Sequence, residues 1–374
     1  MFLAVRELAF ARSRYVLMGG VVALIAILMV LLSGLSVGLV NDGVSGLKQL
    51  PVTSFAFQKD VSKDSAFSRS LVDPADAKTW RDVSGVEDAA PFGNTLVNAK
   101  TDRDVDIDLA LFGVEPDSWL APEATDGATL SGPDTVLLSS TAEEEGVRVG
   151  DTITIGQLGT TLTVGGFLEG QHTFGHVDIG YLALPTWQEI RAGVRPGEKV
   201  PDHVYDEVTA IAVRADSDAD LTAAADSTGT TALTLDESFG ASPGYTAETS
   251  TLQLIQGFLY AICALVVGAF FTVITIQRRQ EIAVLRAMGA STRYLLRDTL
   301  MQSLILLVVS AGVGIGVGVA AGAAIASTPM PFALELTPIA TATLTLIVLG
   351  MIGATVAVLR ITRVDPLTAL GGNR

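Results

Sequence analysis

The chain has 374 residues, 49% of them hydrophobic and only 17% charged, with 40 Asp plus Glu against 24 Lys plus Arg and a formal net charge of −16. One cysteine and three histidines exclude a disulfide scaffold and a cysteine-rich zinc protein, and the acidic balance argues against nucleic acid as a partner. Such an apolar composition also excludes a disordered chain and leaves an integral membrane protein.

In chain order, Arg6, Arg12 and Arg14 precede a first uncharged run, Tyr15–Asn41, of 27 residues. Three more uncharged runs lie in the last third: Thr249–Gln277 with 29 residues, Thr299–Leu334 with 36 and Leu336–Leu359 with 24. A bilayer core needs about 20 apolar residues per helix, so each run can span. Pro329 and Pro331 end the third helix near Ser327, which gives predicted spans of Tyr15–Leu39, Leu254–Ile276, Met301–Ile325 and Ile339–Leu359. The first apolar core is longer than the roughly 7–15 residues of a secretory signal, so it reads as an anchored helix.

Charge sorts along the same boundaries. Residues 41–250 hold 13 basic and 35 acidic residues, a net of −22, and the rest of the chain holds 11 basic and 5 acidic residues, a net of +6. Those 11 are all arginine: the three before the first span, then Arg278, Arg279, Arg286, Arg293 and Arg297, then Arg360, Arg363 and Arg374. Short basic loops stay in the cytosol, so both termini are expected to be cytosolic at the cell membrane. The predicted fold class is a membrane protein with four transmembrane α-helices and a large extracytoplasmic α+β domain inserted between helices 1 and 2. Residues 1–41 form the cytosolic N-terminal segment and first helix, 42–248 the α+β domain, and 249–374 helices 2–4 with a cytosolic loop at 278–298 and a C-terminal tail.

Within the domain, β-branched runs at Thr135–Leu138, Asp151–Ile155, Thr161–Val164 and Val208–Val213 are separated by Gly, Pro and Asp, as half-buried strands would be. Asp73-Pro74 is expected to open a short helix through Val83, with Asp73 as its cap. Ser238–Gly244 is expected to be a hinge into the second membrane helix. Asp102, Asp104, Asp106 and Asp108 alternate and would share one solvated strand face. His172 and His176 are four apart, but Gly175 and the strand-rich surroundings argue against one helical face, so a surface loop is favoured over a metal site.

No lysine follows a glycine, so the P-loop Gly-Lys-Ser/Thr is missing and the chain is not expected to hydrolyse ATP itself. The most informative stretch is Gln277–Tyr294, in which Ile282, Leu285 and Met288 recur at helical spacing. Glu281 suits a first turn, Gly289 stops the short helix, and Ser291 can cap the next. Such an element is either a membrane-surface helix or a coupling helix that docks on a motor subunit.

The loop Arg278–Ala290 resembles that of MacB/FtsX-type ABC transporter permeases, and the ending Val364–Leu370 is similar to that family's tail. Asp76–Pro91 resembles the family's helix-then-strand opening, and Leu137–Ile153 its later strand–helix–strand element. The four motifs occur in order across both termini, all four spans and most of the domain. The resemblance implies a homodimeric permease in the lipid bilayer, bound to two ABC ATPase subunits and moving cargo at the outer leaflet. It implies contact with the ATPase through Glu281, Ile282, Leu285, Arg286, Met288 and Gly289. Within the family the chain looks most like the haem-exporting permeases, with no intrinsic cofactor and haem as transported substrate. Same-family exporters of lipid, peptide, antibiotic or lipoprotein, and signal transmitters that move nothing, are the alternatives.

For a haem cargo, Glu248 is the last charge before the second span and Tyr245 lies three residues earlier, on one face of a helix that begins there. Oxygen ligands of this type can hold ferric haem, which makes Glu248 the candidate iron ligand, followed by Tyr245 and by Glu335, the single charge between the third and fourth spans. Met29 and Met330 are candidate cargo contacts, with the filling of packing gaps favoured as their role. Gly34 with Gly38, and Gly314, Gly318 and Gly322, form small faces for helix contacts, within one subunit or between two.

Overall fold

In lipid every backbone N–H and C=O must be satisfied within its own segment, so long uncharged runs become helices. The computed structural model describes residues 12–216, 219–277, 284, 288, 291–328 and 330–362. It begins with α1 (Arg12–Gln49), β1 (Ser54–Gln58), the short helices α2 (Ala66–Arg69) and α3 (Asp76–Arg81), then β2 (Val86–Thr101), β3 (Asp106–Val114) and β4 (Thr135–Leu138). Next come α4 (Ser140–Glu144), β5 (Thr152–Ile155), β6 (Thr161–Phe167), β7 (Thr173–Phe174), β8 (Val177–Ala183), α5 (Leu184–Ala192) and β9 (Ala210–Ala215). After α6 (Leu221–Thr228), β10 (Thr230–Thr234) and α7 (Leu235–Ser238) follow three long helices, α8 (Tyr245–Gln277), α9 (Thr292–Ile325) and α10 (Leu336–Thr362).

Among the described residues, four helices are long and apolar enough to cross a membrane, over Tyr15–Gln49, Tyr245–Ile274, Leu296–Ile325 and Leu336–Ala357. The chain divides into two compact units, Met1–Gly38 with Ser250–Arg374, and Leu39–Thr249.

In the membrane unit, the glycine faces are used within the subunit. A Cβ on Gly314 would overlap the Ala23 carbonyl of α1, and one on Gly318 would come within 2.9 Å of Val30. Gly34 and Gly38 lie against Phe332 and Pro331, and Gly322 also faces Phe332. On the other side, Gly353 of α10 sits on the Ala264 carbonyl of α8, and Gly268 sits on Gly353. Around these contacts Met18, Val22, Met29, Val267, Phe271, Leu307 and Leu346 are buried. The lone Cys263 is free and buried here.

The domain is built on one mixed sheet in the order β10-β1-β9-β2-β3-β8-β4-β6-β5, with β2 also pairing β5. β3–β8 and β4–β6 are parallel, and the other pairs are antiparallel. One apolar core holds Trp80, Leu109, Leu138, Ile153 and Trp187. The second is a phenylalanine cluster in which Phe92 and Phe112 meet edge to face at 4.9 Å, and Phe112 and Phe174 at 5.9 Å. Val44, Leu47 and Leu50, at the end of α1, are buried in that second core.

Several local expectations change. Asp73 accepts from Ala75 N at 2.8 Å and makes a tight turn, while the helix starts later, at Asp76, without a side-chain cap. Of the four alternating aspartates only Asp106 and Asp108 share a face of β3; Asp102 and Asp104 lie in the β2–β3 turn, Asp104 at φ 70°. Ser238–Gly244 is a packed connection with Phe239, Ala241 and Ser242 buried, anchored by the Thr234–Glu237 capping box. His172 is buried rather than in a surface loop.

The glycine contacts are testable. Gly353→Val puts a branched side chain onto backbone and should destabilise the solubilised chain by about 1–3 kcal/mol, whereas Gly316→Val, which meets nothing within 4 Å, should leave the thermal midpoint within error. Equal midpoints for the two variants would remove the α8–α10 contact.

Candidate functional site

The site starts from a two-residue turn. Phe174 pairs Val177, and the residues between them, Gly175 and His176, both have positive φ, at 60° and 67°. That is the I′ geometry that suits the twist of a hairpin, and it favours Gly and Asn. A side chain with a Cβ pays roughly 1–2 kcal/mol there, so the imidazole of His176 is held at the tip of the turn against a backbone preference.

The last turns of α1 dock on this hairpin through residues one helical face apart. Ser45 Oγ and Thr173 Oγ1 are 2.7 Å apart, and Thr173 N donates to Ser45 Oγ at 3.0 Å. Gln49 Nε2 donates to the Gln171 carbonyl at 2.7 Å. The Gly43 carbonyl accepts from Gly175 N and from Ser242 Oγ, each at 2.9 Å.

Those contacts bring three acid–base groups into a line. His176 Nδ1 is 2.8 Å from Asp42 Oδ2, and His176 Nε2 is 3.2 Å from both Glu248 oxygens. Gln171 Nε2 donates to the other Asp42 oxygen at 3.0 Å. The side chains of Asp42, His176 and Glu248 are 24%, 30% and 38% exposed, so all three are part-covered yet reachable. An ionised carboxylate only accepts, and a neutral imidazole has one N–H. Only a ring with N–H on both nitrogens donates to both carboxylates at once.

Tyr245 and Glu248 both sit in the first turn of α8, as the spacing required. The Tyr245 ring packs on Phe239 with centroids 6.2 Å apart. Gly43 faces both rings: a Cβ there would be 3.8 Å from the His176 ring and 3.9 Å from the Tyr245 ring. In the membrane unit, Glu335 is exposed just before α10, and Met29 is buried at 3% exposure in the helix core. Of the residues expected to contact the ATPase, Met288 is 72% exposed and its N donates to the Val284 carbonyl at 3.0 Å. Glu281, Ile282, Leu285, Arg286 and Gly289 lie outside the described residues, as does the tail from Arg363. Among the described residues no cluster of three His, Cys, Asp or Glu side chains is arranged to hold a metal ion. Sequence reasoning missed Asp42 and treated His176 only as a partner of His172. The available signal was a lone acid at the end of an uncharged run, with further polar residues on the same helical face.

Residues 16–230 match the family model described as the MacB-like periplasmic core domain, and residues 254–366 match the FtsX-like permease C-terminal model. A relative from Staphylococcus epidermidis, provisionally named hemin transport system permease protein HrtB, is 24% identical over 375 residues, covering 100% of both chains. A protein of the same provisional name from Staphylococcus haemolyticus is 23% identical, covering 100% of this chain and 99% of its own. Among solved structures, the extracellular domain of the noncanonic ABC-type transporter YknZ from Gram-positive bacteria aligns with 49% of this chain and 98% of its own, at 17% identity and a TM-score of 0.34. The periplasmic region of MacB from Actinobacillus actinomycetemcomitans aligns with 50% of this chain and 91% of its own, at 13% identity and a TM-score of 0.35.

Behind the turn lies a second polar group. Thr141 Oγ1 donates to Asp178 Oδ1, and Ser139 Oγ, in contact with Thr141 Oγ1, accepts from His172 N at 2.9 Å. Burial lowers the His172 pKa; its Nε2 donates to the Glu169 carbonyl at 3.2 Å. Burial pushes the Asp178 carboxyl up to about 6, against the opposing effect of the Thr141 hydrogen bond. A raised carboxyl pKa favours the protonated folded form. The stability it contributes is therefore complete below pH about 4 and lost as pH rises through about 6. At roughly 1.4 kcal/mol per unit, Asp178→Asn should remove a loss on the order of 3 kcal/mol at pH 7 and flatten the pH dependence of unfolding between pH 4 and 6. An unchanged pH profile in that variant would place the Asp178 carboxyl in water.

Proposed function

Because the chain belongs to the MacB/FtsX-type ABC transporter permeases, we propose that it is the membrane subunit of an ATP-driven pump that extracts haem from the outer leaflet and expels it. The observation that carries this reading is the Glu248 carboxylate in the first turn of α8, oriented by His176 and preceded on the same face by Tyr245. A carboxylate at the membrane edge is costly without a task. Ferric iron supplies one, because a metal favours the deprotonated ligand.

Charge separates haem from an anionic lipid. Asp42, His176 and Glu248 are two acids and one imidazole. Phosphate recognition relies on Arg, Lys or clustered backbone N–H groups. The iron of haem needs an electron-pair donor, and the ring needs apolar surface. Full-length relatives named for hemin transport support the same choice.

In the complete machine, two copies of this chain bind two ATPase subunits, and ATP hydrolysis resides in those partners. The arginine-rich ends and the 278–298 loop face the cytosol, following the basic-loop rule. Glu281, Ile282, Leu285, Arg286, Met288 and Gly289 form the ATPase contact.

Hemin titration of the purified chain, read at the Soret band, tests the cargo. Glu248→Ala should weaken binding at least tenfold and shift the band while leaving basal ATP hydrolysis by the complex intact. Unchanged spectra and affinity in Glu248→Ala, Glu335→Ala and Tyr245→Phe alike would sink the haem reading. For coupling, Leu285→Asp should abolish co-purification with the ATPase while the domain stays folded; a surviving complex with unchanged transport would move the contact elsewhere.

A further inference from the structure

We infer that His176 is a positioning residue for Glu248: held from behind by Asp42, its imidazole bridges the two carboxylate oxygens and fixes the orientation in which Glu248 meets the iron of the cargo. The inference rests on the haem reading above and adds to it a residue that acts through Glu248.

The geometry of the contact carries the argument. His176 Nε2 is equidistant, at 3.2 Å, from Glu248 Oε1 and Oε2. A single charge-assisted N–H···O bond closes to about 2.7–2.9 Å, so one N–H is shared between two oxygens. A small rotation of the carboxylate converts the shared contact into one short bond and frees the other oxygen. The imidazole itself has little freedom to follow. Its Nδ1 is bound at 2.8 Å to Asp42 Oδ2, and the other Asp42 oxygen takes Gln171 Nε2 at 3.0 Å.

The backbone fixes the same arrangement. Gly175 N, one residue before His176, donates to the Gly43 carbonyl at 2.9 Å, next to Asp42 on α1. Ser242 Oγ donates to that carbonyl, also at 2.9 Å, just before α8 begins. Three elements distant in sequence therefore converge on one ring. Outer partners of a ligating group set its orientation and basicity, and losing one typically costs roughly 10–100-fold in affinity.

Glycine at the tip of the turn gives a clean test, since it suits the left-handed conformation at φ 67°. The full-length protein in lipid nanodiscs is titrated with hemin as wild type, His176→Gly, His176→Gln and Glu248→Ala, with thermal midpoints measured in parallel. His176→Gly should bind hemin roughly 10–100-fold more weakly, with a displaced Soret band and an unchanged or higher midpoint. His176→Gln carries an amide N–H near the Nε2 position and should recover most of the affinity and the band. If His176→Gly binds with wild-type affinity and spectrum while Glu248→Ala does not, the positioning role falls and the Glu248 ligand stands. If His176→Gly and His176→Gln are equally weak with lowered midpoints, His176 is structural and the inference falls. If Glu248→Ala binds as wild type, the ligand reading falls and takes this inference with it.

Discussion

The Gly43 carbonyl takes two hydrogen bonds from outside its own helix, from Gly175 N and from Ser242 Oγ. Through that one oxygen the end of α1, the β7–β8 turn and the approach to α8 share a fixed point. A methyl group on Gly43 would fit in ordinary van der Waals contact with its neighbours, so the carbonyl rather than the missing side chain matters here. Everything polar at the site follows from this junction. Asp42 is the residue before Gly43, His176 the residue after Gly175, and Glu248 lies in the helix that starts just past Ser242. Apolar burial supports the junction from below, since Val44 and Leu47 on α1 and Phe174 in β7 share one core.

The membrane helices were legible because lipid imposes a simple rule on sequence: an uncharged run of sufficient length has no alternative to helix. Even the stop of the third helix was readable, and α9 ends at Ile325 with Ser327 bonded back to the Ala324 carbonyl. Strand signals were weaker. β4, β5, β6 and β9 stand where β-branched runs predicted them. Only the start of the long β2 fell within the helix-then-strand stretch Asp76–Pro91, and its continuation carried no strand signal because Pro91, Gly93 and Asn94 interrupt its pattern. Its Gly93, with Gly113 of β3, is small because the Trp187 ring lies across both. That is tertiary packing overriding local propensity.

The acidic balance of the domain illustrates the limit of composition. It set the expectation of which side of the membrane the domain faces, but it says little about stability. Pairs such as Lys100–Asp104 and Arg214–Glu87 are solvent-exposed, and exposed pairs contribute little. Two apolar cores on the faces of one sheet hold the domain instead. At the candidate site, Tyr245 and Glu248 were found because their spacing of three is a helical signal. Asp42 and His176 were not, because the partners that define them lie 134 and 72 residues apart in the chain. Pattern reading sees neighbours within an element, and hydrogen bonds across elements fall outside its reach.

Backbone strain supplies the last step. Among the described residues, three non-glycine residues have positive φ: Asp60, Asp104 and His176. Aspartate tolerates that conformation because its short side chain bonds locally, and Asp104 sits in a solvent-exposed turn with Lys100 as its partner. His176 instead bonds far from its own turn, to Asp42 and Glu248. In a two-residue I′ turn, Asn or Gly would relieve the backbone at no cost in pairing. The His176 side chain, on this backbone, reaches two carboxylates on two different helices. The left-handed turn carries an imidazole, and Asp42 and Glu248 face that imidazole from opposite sides.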